Sequence, residues 1–151
     1  MFLHIRRGDY LKHTDFYLNL KGEYYGGAIN YLKSKLAKPY IFIFSNDILW
    51  CEREFLATLS DECKEDVEFE FVKNNGEDNV AQKIMRSCKH AIISNSTFGW
   101  WASYLIDNPH KIVLMPNCYK NEKIFPKISY DDKKQMYEGV VLVDALMGEL
   151  V

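Results

Sequence analysis

Two short segments carry side chains able to hold a phosphate. Near the start, His4-Ile5-Arg6-Arg7-Gly8-Asp9-Tyr10 sets two adjacent guanidinium groups where an extended apolar run meets a glycine. Far downstream, Ser94-Asn95-Ser96-Thr97-Phe98-Gly99-Trp100-Trp101 sets small hydroxyls and backbone N–H groups at what reads as a strand-to-helix junction. A guanidinium grips phosphate oxygens through two parallel hydrogen bonds. A helix N-terminus offers an anion unpaired N–H groups and a partial positive charge. Both segments therefore suit a phosphate or pyrophosphate.

Each residue has a plainer reading beside the chemical one. Paired arginines are usually surface charges, but these follow an apolar strand directly and precede a turn. Neighbouring side chains on a strand point to opposite faces, so one arginine can reach a ligand while the other is held by a carboxylate such as Asp9. A bidentate arginine on a pyrophosphate stabilises charge that grows on a leaving group. His4 shares the face of Arg6 and reads either as a satisfied strand histidine or as a nucleotide contact. Capping a helix takes one residue of the Ser/Thr/Asn type, whereas Ser94 to Thr97 supplies four. Trp100 and Trp101 read as core or domain-interface packing, with sugar stacking the minor alternative, and exposed apolar surface there would mark a docking place. Ser45-Asn46-Asp47 caps a helix and resembles, without matching, a metal-chelating Asp-x-Asp; one carboxylate predicts no metal site. Cys51, Cys63, Cys88 and Cys118 show no metal-ligand spacing. Gly-x-Gly-x-x-Gly, Walker and Gly-x-Ser-x-Gly patterns are absent, which removes the main support for dehydrogenase, triphosphatase and serine hydrolase readings.

Strand and helix patterns alternate around these segments. Phe2 to Ile5 reads as a short buried strand. Tyr24 to Leu36 carries Tyr25, Ala28, Ile29, Leu32 and Leu36 at helical spacing and closes at Lys38-Pro39. Tyr40 to Phe44 predicts a central strand, and Asp47 caps a helix through about Leu59. Val67 to Val72 alternates with period two, as a half-exposed strand does. Asn74-Asn75-Gly76 reads as a turn, after which Asp78 starts a helix with Val80, Ala81, Ile84 and Met85. Ala91 to Ile93 predicts a strand, Thr97 to Ile106 a helix, and Lys111 to Met115 a strand ended by Pro116. The tail predicts a polar loop, a short helix at Asp131 to Tyr137 and a last strand at Val140 to Val143. This rhythm predicts an α/β fold, a Rossmann-like parallel sheet with helices on both faces. Ligands bind such sheets at the carboxyl ends of the strands, where both segments fall.

The chain has 151 residues, 48% of them hydrophobic and 15% aromatic, enough for one domain with a real core. A formal net charge of −2 speaks against nucleic acid as a partner. No apolar run approaches about 18 residues and no signal-peptide pattern opens the chain, so a cytoplasmic protein with reduced cysteines is expected.

HIRRGDY, then FSND, then CKHAIISNSTFGWWASYL and NPHKIVLMP closely resembles the alpha-1,2-fucosyltransferases of glycosyltransferase family 11, in which the corresponding motifs occur in this order. The match runs from His4 to about Pro116. The resemblance implies the nucleotide-binding half of a GT-B-like, metal-independent enzyme with GDP-fucose as donor substrate and no cofactor. It implies that Arg6 holds the pyrophosphate and supports departure of GDP, with Arg7 beside it and His4 near the nucleotide. Asn95, Ser96 and Thr97 would bind phosphate, and Phe98 would shape the donor pocket. Fucose would pass, with inversion, to O2 of a terminal galactose on a glycan acceptor. Asp9 and Asp15 are candidate bases by proximity to the arginines, Asp9 the nearer. The family's aspartate four residues before the methionine at Met85 is replaced by Ala81; Asp78, one turn earlier, is the substitute for reading guanine. Family members are longer and begin with a glycine-rich segment and an acceptor half, so residues 1–151 are expected to form a single GDP-fucose-binding domain without that half. A catalytically inactive nucleotide-binding remnant or partner subunit is the alternative. A structural module with surface arginines is a third reading, favoured by a buried Arg6–Asp9 pair with no pocket beside Ser96. A lipid-linked acceptor would add peripheral association with the inner membrane.

Overall fold

Every residue of β1 (Phe2–Ile5) is buried, as befits a strand covered on both faces, and the sheet is built outward from it. The computed structural model describes residues 1–73, 77–121 and 137–151. β1 pairs with β2 (Tyr40–Ser45) on one side and with β4 (Ala91–Ile92) on the other. β3 (Glu68–Phe71) lies outside β2; β5 (Val113–Pro116) and then β6 (Val140–Val143) lie outside β4. The order is β3-β2-β1-β4-β5-β6, and every pairing is parallel. That is the order of the doubly wound dinucleotide-binding folds, so the Rossmann-like expectation holds.

Alternation along the strands divides the core. Leu3, Ile5, Ile41, Ile43, Ile92, Leu114 and Val143 face α1 (Gly22–Lys33), α2 (Ile48–Arg53) and α3 (Asp61–Lys64) through Tyr24, Ile29, Leu32, Cys51 and Cys63. Phe2, Phe44, Ala91, Ile93, Val113 and Met115 face α4 (Asp78–Arg86) and α5 (Thr97–Tyr104) through Ala81, Met85 and Ala102. Helices thus cover both faces. His4 lies on the α5 side of β1, against Phe98.

Some elements differ from the sequence reading. The helix capped by Asp47 ends at Arg53 and continues as a 3-10 turn over Phe55–Thr58. Glu54, at φ −121, breaks the α-helical path, and the tighter turn buries Phe55 and Leu59 together. A 3-10 turn at Gly8–Lys12 and the short α3, capped by Ser60 on the Cys63 N–H, add to the expected set. The Asn74-Asn75-Gly76 turn lies outside the described residues, as does the Asp131 to Tyr137 helix apart from its last residue. Cys51, Cys63 and Cys118 are buried and Cys88 is partly buried. Among the described residues no helix is long and apolar enough to cross a membrane.

One buried hydroxyl ties α1 to the sheet. Tyr24 is fully buried, and its hydroxyl donates to the Ile93 carbonyl at 2.5 Å, with the Leu114 carbonyl 3.3 Å away. Tyr24→Phe removes that donor from a dry site, so a loss of about 1–2 kcal/mol is expected. Urea denaturation checks this: the midpoint falls while the slope stays constant.

Candidate functional site

Chain direction across the sheet switches at β1, with β2 and β3 on one side and β4 to β6 on the other. Crevices at such switch points receive ligands. Here a cleft of about 460 Å³ opens there, with His4, Arg6, Asn46, Lys73, Asp78 and Phe98 among its lining residues.

Strand register builds one wall. Ile5 lies opposite Ser45, so the residues that follow each strand meet. Asn46 accepts a hydrogen bond from the Arg7 N–H at 2.9 Å through Oδ1 and reaches Asp9 Oδ1 at 3.4 Å through Nδ2. Gly8 between them has φ +27, and a Cβ there would lie 2.3 Å from Asn46 Nδ2. Conformation and space both call for glycine.

Arg6 sits on this turn. Its Nη2 lies 3.0 Å and 2.9 Å from the two Asp9 oxygens, and its guanidinium carbon is 5.5 Å from the centre of the Tyr10 ring. Its Nε is buried and, among the described residues, has no hydrogen-bond partner. The Asp9 carboxyl is held below the usual carboxylate range by its hydrogen bond to Arg6. A carboxylate so engaged accepts a proton poorly, and its position serves to aim the guanidinium. The pair is open to solvent, with side chains 30% and 51% exposed. Arg7 goes elsewhere: its guanidinium carbon stacks 3.5 Å from the Trp50 ring centre and its Nε donates to Asp47 at 3.4 Å. The sequence reading gave a carboxylate to one arginine only; the structure gives one to each, and Arg6 lines the cleft although Asp9 holds it.

His4 is 3% exposed, with Nδ1 2.9 Å from Ser94 Oγ and its ring 5.5 Å from that of Phe98. Burial, reinforced by the Arg6 charge, pushes its pKa down to about 3, so the imidazole is neutral. At the α5 N-terminus, Ser96 accepts a hydrogen bond from the Phe98 N–H. Asn95 is buried and tied to the neighbouring loops: Nδ2 donates to the Leu18 and Tyr119 carbonyls, and its own carbonyl accepts from the Tyr10 hydroxyl.

With this geometry in place, comparison with known proteins is informative. The sequence pattern of glycosyl transferase family 11 matches residues 1–138. The chain belongs to that family. Relatives of this family 11 chain include the Escherichia coli O-antigen biosynthesis glycosyltransferase WbnK, 34% identical over 120 residues, 76% of this chain and 37% of the relative. An Escherichia coli alpha-1,2-colitosyltransferase is 33% identical over 76% of this chain and 39% of its own. The Bos taurus galactoside alpha-(1,2)-fucosyltransferase 1 is 31% identical over 68% of this chain and 28% of its own. The chain thus spans well under half the length of these curated relatives. No solved structure matches at a significant level.

The fold of this family 11 chain brings His4, Arg6, Asp78 and Phe98 to one cleft, with Asp9 behind Arg6. Arg7, Asn95, Ser96 and Thr97 are not among its lining residues. Thr97 is exposed and Asp78 is exposed at the start of α4. Ala81 lies in the cleft floor, 1% exposed. Asn46 and Lys73 were not anticipated as site residues; Lys73 Nζ is 2.7 Å from Glu52 Oε1. The signal for Asn46 was its place directly after a strand at the ligand-binding edge. Among the described residues no three His, Cys, Asp or Glu side chains gather as a metal site would need. Trp101 is 53% exposed, while Trp100 packs against the α5-side core.

Proposed function

We propose that this chain is the donor-binding part of an inverting galactoside alpha-1,2-fucosyltransferase that takes GDP-fucose. One observation carries the reading: at the switch-point cleft, Arg6 is anchored by Asp9 through one nitrogen while its side chain stays 30% exposed and lines the cleft. That leaves the guanidinium aimed and accessible, as a pyrophosphate receptor should be. The exposed Arg6–Asp9 pair beside a cleft also disfavours a purely structural module.

In the proposed reaction the acceptor O2 attacks the anomeric carbon of fucose from the side opposite the pyrophosphate. The carbon–oxygen bond to the β-phosphate breaks, its electron pair leaves with GDP, and the hydroxyl proton passes to solvent water. Arg6 stabilises the charge that accumulates on the departing β-phosphate. Asp9 positions Arg6, Phe98 walls the sugar side, and Asp78 offers a carboxylate to the guanine N–H groups. Donor transfer to a galactose-terminated glycan is a property of the whole enzyme.

Calorimetric titration in EDTA, with GDP, GDP-fucose and UDP, tests the reading. GDP and GDP-fucose are expected to bind, UDP to bind at least tenfold more weakly, a difference of about 1.4 kcal/mol, and EDTA to change neither guanosine affinity. Equal affinity for UDP would remove guanine recognition, and a requirement for Mn²⁺ or Mg²⁺ would overturn the metal-independent mechanism. Binding without turnover on a galactoside would favour the second reading, a donor-binding partner subunit.

A further inference from the structure

Besides the Tyr10–Asn95 contact, the two chemistry-bearing segments meet inside the protein at a hydrogen bond between His4 Nδ1 and Ser94 Oγ, 2.9 Å apart. Ser94 is 0% exposed. Among the described residues its hydroxyl has no other hydrogen-bond partner, so the direction of this bond follows from what each atom can tolerate. If Nδ1 carried the proton and donated it, the Ser94 hydroxyl hydrogen would be left without an acceptor in a dry interior, a costly arrangement. If Ser94 donates to Nδ1, the hydroxyl is satisfied and the imidazole proton lies on Nε2. The Nδ1 corner of the ring is turned toward Ser94 and Gly99, where an added Cβ would come within 2.7 Å of it. Nε2 is then the polar atom His4 has left for the cleft it lines.

We infer that Ser94 is a positioning residue: it fixes His4 as the Nε2–H tautomer, presenting an uncharged hydrogen-bond donor to an acceptor oxygen of the bound nucleoside diphosphate. The ligand half of this inference rests on the donor-site reading above; the tautomer half does not. A neutral donor complements the Arg6 cation, because it adds a directed hydrogen bond to the ligand without a second charge to desolvate.

Long-range ¹H–¹⁵N spectra of the ¹⁵N-histidine-labelled chain, with His4 assigned through backbone correlations, read the tautomer directly and without ligand. Nε2 is expected to be pyrrole-type and Nδ1 pyridine-type. In Ser94→Ala the Nδ1 acceptor loses its donor, so His4 is expected to become a mixture of tautomers and GDP affinity to fall roughly 2- to 10-fold, the worth of one neutral hydrogen bond. GDP added to the unaltered chain is expected to shift the Nε2–H signal. A pyrrole-type Nδ1 in the unaltered chain would overturn the inference, as would a Ser94→Ala spectrum with His4 still wholly Nε2–H. Failure of GDP to bind the unaltered chain would instead refute the donor-site reading, since the tautomer is read in its absence.

Discussion

Arg6→Ala is expected to weaken GDP binding by about 1.5–3 kcal/mol, or roughly 10- to 150-fold in Kd. Two effects add in the same direction. The substitution deletes the charge-assisted hydrogen bonds that the cleft-lining guanidinium would make to the pyrophosphate. It also strips Asp9 of its counter-ion, leaving an exposed carboxylate beside the cleft, which would repel the ligand's phosphates. Stability should barely change, because exposed ion pairs contribute only about 0–1 kcal/mol. Arg7→Ala supplies the contrast. Arg7 stacks on Trp50 and pairs with Asp47, which also caps α2, so its loss should lower the unfolding midpoint and leave GDP affinity within about threefold, under 1 kcal/mol. Calorimetry beside thermal unfolding separates the two. Unchanged GDP affinity in Arg6→Ala removes Arg6 from the site.

The halves of this contrast were unequally legible in the sequence. Alternation along a strand is set by local geometry, so the shared face of His4 and Arg6 could be read from two residues of spacing. The central strands were legible as short apolar runs, the helices at Gly22 and Asp78 by apolar residues at helical spacing, and the helix at Thr97 by the small polar residues before it and the Asn108-Pro109 stop after it. Which carboxylate meets which arginine was not. Asp47 is 40 residues from Arg7, and the two meet only because β1 and β2 pair with Ile5 opposite Ser45. Asn46 became a site residue through the same register. In the sequence reading its segment, Ser45-Asn46-Asp47, was a helix cap, and Asp47 is the residue that accepts the helix N–H. Asn95 shows the opposite limit: a polar residue in the right motif, it holds two loops to β4 through carbonyls 77 and 24 residues away. Composition cannot separate a polar residue that faces a ligand from one that braces the loops around it.

Gly99→Ala is expected to destabilise the fold by about 1–3 kcal/mol, the range for overpacking a filled site, and to lower GDP affinity with it. Helix propensity points the other way, since alanine is favoured over glycine in a helix by about 1 kcal/mol. Space decides the sign. A Cβ at Gly99 would lie 2.7 Å from His4 Nδ1 and 3.2 Å from its Cγ. That ring cannot swing aside: β1 is paired on both edges, Nδ1 is tied to Ser94, and Phe98 lies against the ring. Either α5 backs away from β1 or His4 turns, and both disturb the cleft. Gly26→Ala in α1 tests the argument, because its Cβ would meet only Leu59 Cδ2 at 3.9 Å and Cys63 Sγ at 4.0 Å, ordinary contacts. There propensity should prevail, with a gain of up to about 1 kcal/mol and no change in GDP affinity. Urea denaturation of both variants reads the two signs directly. A stabilised Gly99→Ala would mean that α5 does not press on His4, and the close approach of the two segments would lose its structural basis.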